Sequence, residues 1–480
     1  MIRKLIKRLF NGAIDSNPAT RRLGQRRELP RAQHHIDAGR IAPNALAVVK
    51  KLQEAGYEAY IVGGAVRDLL LGHKPKDFDV ATSATPEQVK PLFRRAFLIG
   101  RRFRIVHVMF GRDIIEVSTY RALHDAQAAE AVAGNERTAK GALADKTLAV
   151  DSSGRVLRDN VWGTLDDDAE RRDFTVNALY YDPVRDVVVD YHHGMDDLRR
   201  RRLRMIGDPI QRYREDPVRM LRVARFAAKL GFELETATLA PIAECADLLA
   251  NVPAARLFDE TIKLLQTGHA VASLQQLRRL GLHHGLLPLL DPVLEKPEGE
   301  RFVLSALEDT DARIAQGKTA SPSFLFACLL WHDVEQRWNG LREQGEAPLV
   351  ALDGAADEVL AAQAERLAIQ RRISTDMREI WALQPRFERR TARYANSLVD
   401  HPRFRAAFDF LSLRARSGQA DPALAQWWDE FHLADAEGRA AMLQAVPASA
   451  AGSAKRRRRR RKPAANGESG GPAPSSADPA

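Results

Sequence analysis

Residues 61–82 read IVGGAVRDLLLGHKPKDFDVAT, and the fold is decided there. Tyr60-Ile61-Val62 has the make-up of a short buried strand ending at Gly63-Gly64. Ala65–Leu71 continues as a helix closed by Gly72, and Phe78–Ala81 reads as a second strand. On a strand, positions i and i+2 share a face, so Asp77 and Asp79 point one way while Phe78 faces the core. Two carboxylates on a rigid strand suit hard divalent cations, which prefer oxygen ligands. Glu116, in the later strand DIIEVSTYR, offers a third acid. Such a cluster can hold two Mg²⁺ ions about 3.5–4 Å apart. Alone, an Asp-x-Asp pair reads as two solvated acids before a turn. The double glycine upstream changes that reading, because Gly63 and Gly64 let backbone approach a phosphate and the following helix start favours negative charge. Arg67, one turn into the helix, is placed to reach a triphosphate, with Asp68 to orient it. The segment is neither GxGxxG nor a P-loop.

Around this core the pattern is that of an α/β unit. Upstream, ALAVVKKLQEAG after Pro43 has helical apolar spacing and ends at Gly56. Downstream, Pro86 opens the helix PEQVKPLF, AFLIGRRFRIVHVMF reads as strand, turn, strand, and RRDFTVNALYY reads as helical. The strands VVVDY and LRMIG follow. Between His124 and Asn160 large apolar residues thin out, as in a mobile surface insertion. After Tyr213 the chain is helical almost throughout. Asp216 is expected as an N-cap with Pro217 in the first helical position, and further helices fall near 254–267, 270–280, 300–316, 322–333, 355–370 and 403–416.

A length of 480 residues calls for several domains, and 45% apolar with 28% charged residues is globular composition. The two cysteines, Cys245 and Cys328, lack metal-ligand spacing and suit a reducing cytoplasm. No apolar run is long enough to span a bilayer, so no stable membrane insertion is expected. The N-terminal MIRKLIKRLFNGAIDSN lacks an apolar signal core. It reads as a frayed basic terminus, with a short amphipathic helix touching membrane or RNA as the other reading. Of the net +10, residues 1–40 carry +7 and residues 448–480 carry +6, leaving −3 for the body. Cationic appendages on a near-neutral body suit capture of a polyanion. The block KRRRRRRK, Lys455–Lys462, cannot fold alone and would neutralise several phosphates.

GGAVRDLLLG followed by DFD resembles the signature of class II nucleotidyltransferases, which comprise bacterial poly(A) polymerases and CCA-adding enzymes. The resemblance runs from about residue 43 to 265 and more weakly to 440. It implies that Asp77 and Asp79 bind catalytic Mg²⁺, and that Arg172 and Asp173, in the Arg171-Arg172-Asp173 motif, contact the ribose and phosphates of ATP. Asp173 is implied as an active-site acid, with Glu116 or Asp173 supporting the metals. Asn177, one turn further on, is placed on the same face as Asp173. In YREDPVRMLRVARF, residues 213–226, the resemblance makes Glu215, Asp216 and Arg219 the readers of the incoming base, with Arg222 and Arg225 on the same stripe. Arginine suits base reading because its planar fork donates paired hydrogen bonds.

Two segments favour poly(A) polymerases over CCA-adding enzymes. LIGRRFRIVHVMF, residues 98–110, resembles the segment that marks them, and NVPAARLFDE, residues 251–260, resembles their neck, with Ala250 where an acid is expected. The basic C-terminus is also typical of them. His332-Asp333 lacks the companion histidines of a phosphohydrolase and reads as a pair on a helix. The expectation is therefore an α+β protein: a basic, poorly ordered arm (1–42), a nucleotidyltransferase head with a small mixed sheet (43–190), a helical neck (191–265), a helical body (266–446) and a disordered basic tail (447–480). It would be a cytoplasmic monomer adding AMP from ATP to RNA 3′ ends, with RNA-decay machinery as partner. The alternatives are a CCA-adding tRNA enzyme and a non-catalytic RNA-binding protein.

Overall fold

The structure, a computed structural model, describes residues 25–100, 104–122, 130–131, 148–150, 156–159, 161–286, 297–364 and 366–446. The basic block at 455–462 and most of the insertion expected between His124 and Asn160 lie outside the described residues.

Eight strands form one mixed sheet: β1 (Arg27–Pro30), β2 (Ala59–Val62), β3 (Asp79–Thr82), β4 (Ala96–Ile99), β5 (Ile105–Phe110), β6 (Asp113–Thr119), β7 (Leu179–Asp182) and β8 (Val187–Asp190). Their order is β1-β8-β7-β2-β3-β6-β5-β4, and β3–β6 is the one parallel pair within it. Helix Pro43–Glu54 covers one face, burying Ala45, Val48, Val49 and Leu52 on the stripe that a period of 3.6 generates. The other face carries a layer of tyrosines, Tyr60, Tyr180 and Tyr191, closed by Leu165 and Ala169 of helix Leu165–Arg171. Tyr60 and Tyr180 meet edge to face with ring centroids 6.2 Å apart.

Four expectations are corrected. The arm is not unstructured through residue 42, because β1 extends the sheet by pairing with β8 and buries Leu29. RRDFTVNALYY is not a helix. Helix Leu165–Arg171 stops at Arg172, residues 175–177 make one 3₁₀ turn, and Leu179 onward is a fully buried strand. Aromatic side chains packed between neighbouring strands override the apparent helical spacing. LRMIG, residues 203–207, places only Leu203 in a strand, Arg202–Leu203, which pairs with Glu233–Leu234 apart from the main sheet, and Met205 bridges to Phe174. Asp216 does not cap with its side chain; it ends helix Pro209–Glu215, and its carboxylate accepts from Arg256 Nη2 at 2.9 Å.

Helix Val218–Leu230 packs against Ala254–Leu265 and ends at Gly231, whose φ of 62° is the left-handed cap that glycine adopts freely. Long helices follow, including Pro297–Ala315, Pro322–Glu343, Pro348–Ala364 and Arg371–Leu383. One apolar core runs from the sheet through these helices, and a second, aromatic cluster around Phe387, Phe404, Trp428 and Phe431 closes the C-terminal end. His332 and Asp333 fall within helix Pro322–Glu343, and among the described residues no three-membered group of histidine, cysteine and acids is arranged as a metal site. Among the described residues no helix is long and apolar enough to cross a membrane.

Candidate active site

Where the central strands end, the double-glycine turn, the acid pair and the neck enclose an open cleft of about 510 Å³. Its lining brings together Gly63, Gly64, Arg67, Asp77, Asp79, Arg172, Asp173, Asn177, Arg219 and Arg222, most of the residues that the sequence singled out. Asp79 opens β3, level with Val62 on one side and Glu116 on the other. Asp77 and Asp79 are exposed to the cleft, and Phe78 between them is buried, so the alternation holds even though the strand proper begins at Asp79. Glu116 is Asp79's neighbour across the ladder but does not line the cleft. Its carboxylate is 3.7 Å from His107 Nε2.

Gly63 has φ 69° and faces Arg172, whose Nη1 would be 3.5 Å from a Cβ added there. The turn thus takes a backbone conformation costly for other residues and keeps an arginine against it. Arg172 in turn is held from behind. Its Nη2 donates to Asp168 Oδ2 at 3.0 Å, its Nε donates to the Tyr180 hydroxyl at 2.8 Å, and that hydroxyl donates to Asp168 at 2.8 Å. Arg67, only 2% exposed, donates from Nη1 to Asn177 Oδ1 at 2.6 Å and from Nε to Asp68 at 2.8 Å.

The carboxylates of the cleft differ in kind. Asp173 accepts from Arg222 through Nε at 2.9 Å and through Nη2, from the Phe174 N–H at 2.8 Å, and from Asn177 Nδ2 at 3.2 Å. Burial alone would raise its carboxyl, but the Arg222 charge and these donors outweigh it and hold it at about 2. Asp77 and Asp79 make no hydrogen bond or ion pair among the described residues. Desolvation in the cleft, then the charge of Glu116, raise Asp79 to about 6, with Asp77 adding and Arg172 opposing. Oxygen donors left without a cation, beside arginines already matched to other acids, fit a divalent metal ion.

On the neck side, Arg219 and Arg222 line the cleft, whereas Glu215 and Asp216 do not. Glu215 Oε2 accepts from Arg219 Nη1 at 3.0 Å and from Arg212 Nη1 at 3.2 Å. Arg225 lines the cleft as well but is largely buried, its Nε 2.5 Å from Glu260 Oε1. Arg171 of the Arg171-Arg172-Asp173 motif lines the cleft too, while sequence reasoning missed Lys76 and Lys229, which also line it, and Arg212, which does not. Arg212 Nη2 donates to the carbonyls of Arg171 at 2.7 Å and Arg172 at 2.6 Å, tying the neck to the motif that carries Asp173. Burial and the nearby Arg219 lower the Arg212 guanidinium to about 10. Three residues upstream of Glu215 on one helix, Arg212 was legible as an i,i+3 partner.

Family models described as the poly A polymerase head domain, a probable RNA and SrmB-binding site of polymerase A, and the polymerase A arginine-rich C-terminus match residues 59–204, 231–294 and 344–463. The poly(A) polymerase I of Haemophilus influenzae is 46% identical over 421 residues, covering 86% of this chain and 89% of that protein. The chain belongs to the poly(A) polymerase family. Its Salmonella typhimurium member is 46% identical over 84% of this chain and 85% of its own length. A CCA-adding enzyme of Lactobacillus helveticus is 36% identical, but over only 46% of this chain and 49% of that protein. Among solved structures, the Bacillus stearothermophilus CCA-adding enzyme in complex with CTP aligns with a TM-score of 0.52 at 26% identity, covering 81% of each chain. Membership in the poly(A) polymerase family makes the chain a nucleotidyltransferase.

Proposed function

We propose that the chain transfers AMP from ATP to RNA 3′ ends without a template, with Mg²⁺ at the pair Asp77 and Asp79 and Glu116 as a supporting acid beside them. The observation that carries this reading is the pair Asp77 and Asp79, unpaired and held level with the double-glycine turn inside one cleft. Bound divalent metal would supply the charge that activates the attacking 3′ oxygen and steadies the departing pyrophosphate. The protein's own part is positioning. Gly63 and Gly64 bring backbone close to the phosphates, and Arg67 and Arg172 face them. Arg219 and Arg222 stand where the base would lie, Glu215 orients Arg219, and Asp216 anchors the neck through Arg256. Asp173, whose acceptor sites are filled by Arg222, Asn177 and Phe174, acts in this reading as a positioning acid, which leaves Glu116 as the third acid beside the metals.

The head would span about 43–190 with β1 added, the neck 191–265 and the body 266–446, and the basic termini would capture RNA through its backbone. Coverage supports adenylate over CCA addition, since the poly(A) relatives match 84–86% of the chain and the CCA-adding relatives less than half. A role in RNA turnover, a cytoplasmic location and a monomeric state complete the proposal. Purified protein given each of the four nucleoside triphosphates and an oligoadenylate primer is expected to build long ladders with ATP alone. Addition of C to a tRNA lacking its 3′ end, without A-ladders, would overturn the reading in favour of the CCA-adding one.

A further inference from the structure

A second cleft, of about 1010 Å³, lies on the head and shares Lys76 and Asp77 with the first. It is built from the turn Ala38–Arg40 and the start of helix Pro43–Glu54, from the loop that leads into Asp77, and from the β5–β6 turn at Gly111-Arg112. Its charges are arranged unlike those of the first cleft, where Arg67, Arg172, Arg222 and Arg225 each have an acid partner. Lys74, Lys76 and Arg112 are exposed and make no hydrogen bond or ion pair among the described residues. Two acids line this cleft, Asp77 and Asp113, and Asp113 accepts from Asn44 Nδ2 at 3.0 Å. Beside the cations stands Ile114, 49% exposed, with Ile41, Pro43 and Pro75 also in the wall.

Chemistry decides what such a cleft could hold. Displacement at a phosphorus is in line, so the attacking oxygen comes from the side opposite the leaving pyrophosphate. Gly63, Gly64, Arg67 and Arg172 line the first cleft, and none of them lines the second. A strand held in the second cleft, apart from those phosphate contacts, would reach the acids at Asp77, which both clefts share. Asp77 is in the shared wall, and the strand carrying Glu116 starts at Asp113 inside the second cleft. We propose that this second cleft seats the last nucleotides of the RNA primer, with Lys74, Lys76 and Arg112 holding backbone phosphates and Ile114 supporting a sugar or base. Cations without acid partners give contacts to phosphate without sequence preference, which suits a strand whose sequence before tailing varies.

The inference rests on the adenylyl-transfer reading, and the test separates the two. Lys74→Gln/Arg112→Gln spares the shared Lys76 and Asp77. Its binding to a 3′-deoxy oligoadenylate, which cannot be extended, is measured by fluorescence anisotropy across a salt series. Affinity should fall on the order of tenfold, and the slope of log affinity against log salt should become shallower by about 0.7 for each lost phosphate contact. In turnover, the KM for primer should rise while the KM for ATP holds, and Lys74→Arg/Arg112→Lys should restore the primer KM. Unchanged primer affinity and salt slope would overturn the inference, and so would an equal rise in both KM values. If instead the unaltered protein builds no A-ladders, the adenylyl-transfer reading fails on its own, and the anisotropy result still reports whether this cleft binds RNA.

Discussion

Two walls of the active cleft, the strand wall and the wall that meets the neck, use the same residue type in opposite ways. On the strand wall, Asp77 and Asp79 have no partner among the described residues, and Asp79 is pushed up to about 6. On the wall that meets the neck, Asp173 of the head is filled with donors, Arg222 of the neck among them, and held at about 2. Asp168 and Glu260 resemble Asp173, each matched to a named arginine. A carboxylate with its lone pairs filled can hold a frame in place but has nothing left for an incoming cation. One left bare costs folding free energy until a cation arrives. The difference separates acids that bind from acids that brace, although both line one cavity.

The largest expected effect comes from exchanging those roles by mutation. Asp79→Asn should fold normally yet lose turnover by on the order of a thousandfold or more, because metal-based charge stabilisation contributes several kcal/mol to such a transfer. Asp173→Ala should instead lose about 3 kcal/mol of stability, since it strands the Arg222 guanidinium in a mostly enclosed site. Primer-extension rates beside urea unfolding curves distinguish them. Near-full activity in Asp79→Asn, or an unchanged unfolding midpoint in Asp173→Ala, would remove the contrast.

A middle-sized effect sharpens the comparison at the seam. Arg212 holds two carbonyls of the Arg171-Arg172-Asp173 motif and also Glu215, which in turn holds Arg219. Arg212→Ala should loosen both walls at once, lowering preference for ATP over CTP on the order of tenfold, about 1.4 kcal/mol. Arg212→Lys should recover little, because a single ammonium cannot bridge acceptors spaced for a planar fork. Unaltered nucleotide preference in both variants, measured as the ratio of kcat/KM values, would confine Arg212 to a structural role.

The strand wall was legible in the sequence because its information is local. An i,i+2 spacing places Asp77 and Asp79 together, and a double glycine after a strand marks the turn, both within twenty residues. The wall that meets the neck depends on long-range partners. Nothing near Arg225 names Glu260, and Tyr180 takes its place behind Arg172 only because its segment is a strand and not the expected helix. Backbone crowding was likewise invisible. A Cβ on Gly194 would fall 2.2 Å from the Thr175 carbonyl oxygen, yet nothing in the motif sequence around Gly194 marks it. The strand Arg27–Pro30 was hidden by its charge, since an edge strand with one buried residue leaves almost no periodic signal.

The smallest effect is a shift in thermal midpoint, and its sign separates the two kinds of acid. The Asp79 carboxyl is raised above its ordinary value of 3.8, so between about pH 4 and 6 the folded chain binds this proton more tightly than the unfolded chain does. The stability it contributes is complete below about pH 4 and is lost as pH rises through 6. Asp79→Asn cannot ionise and escapes that loss. Without metal it should melt a few degrees at most above the unaltered protein at pH 8, with the gap closing below pH 4. Adding Mg²⁺ at pH 8 should raise the midpoint of the unaltered protein and leave the variant's unmoved. For Asp173, held at about 2, the sign reverses: its contribution is present above about pH 4 and disappears as pH falls through 2, so Asp173→Asn should melt below the unaltered protein at pH 8. If calorimetry finds the two asparagine variants displaced in the same direction at pH 8, the bare acid and the braced acid are not different in kind, and the assignment of metal binding to Asp79 loses its physical basis.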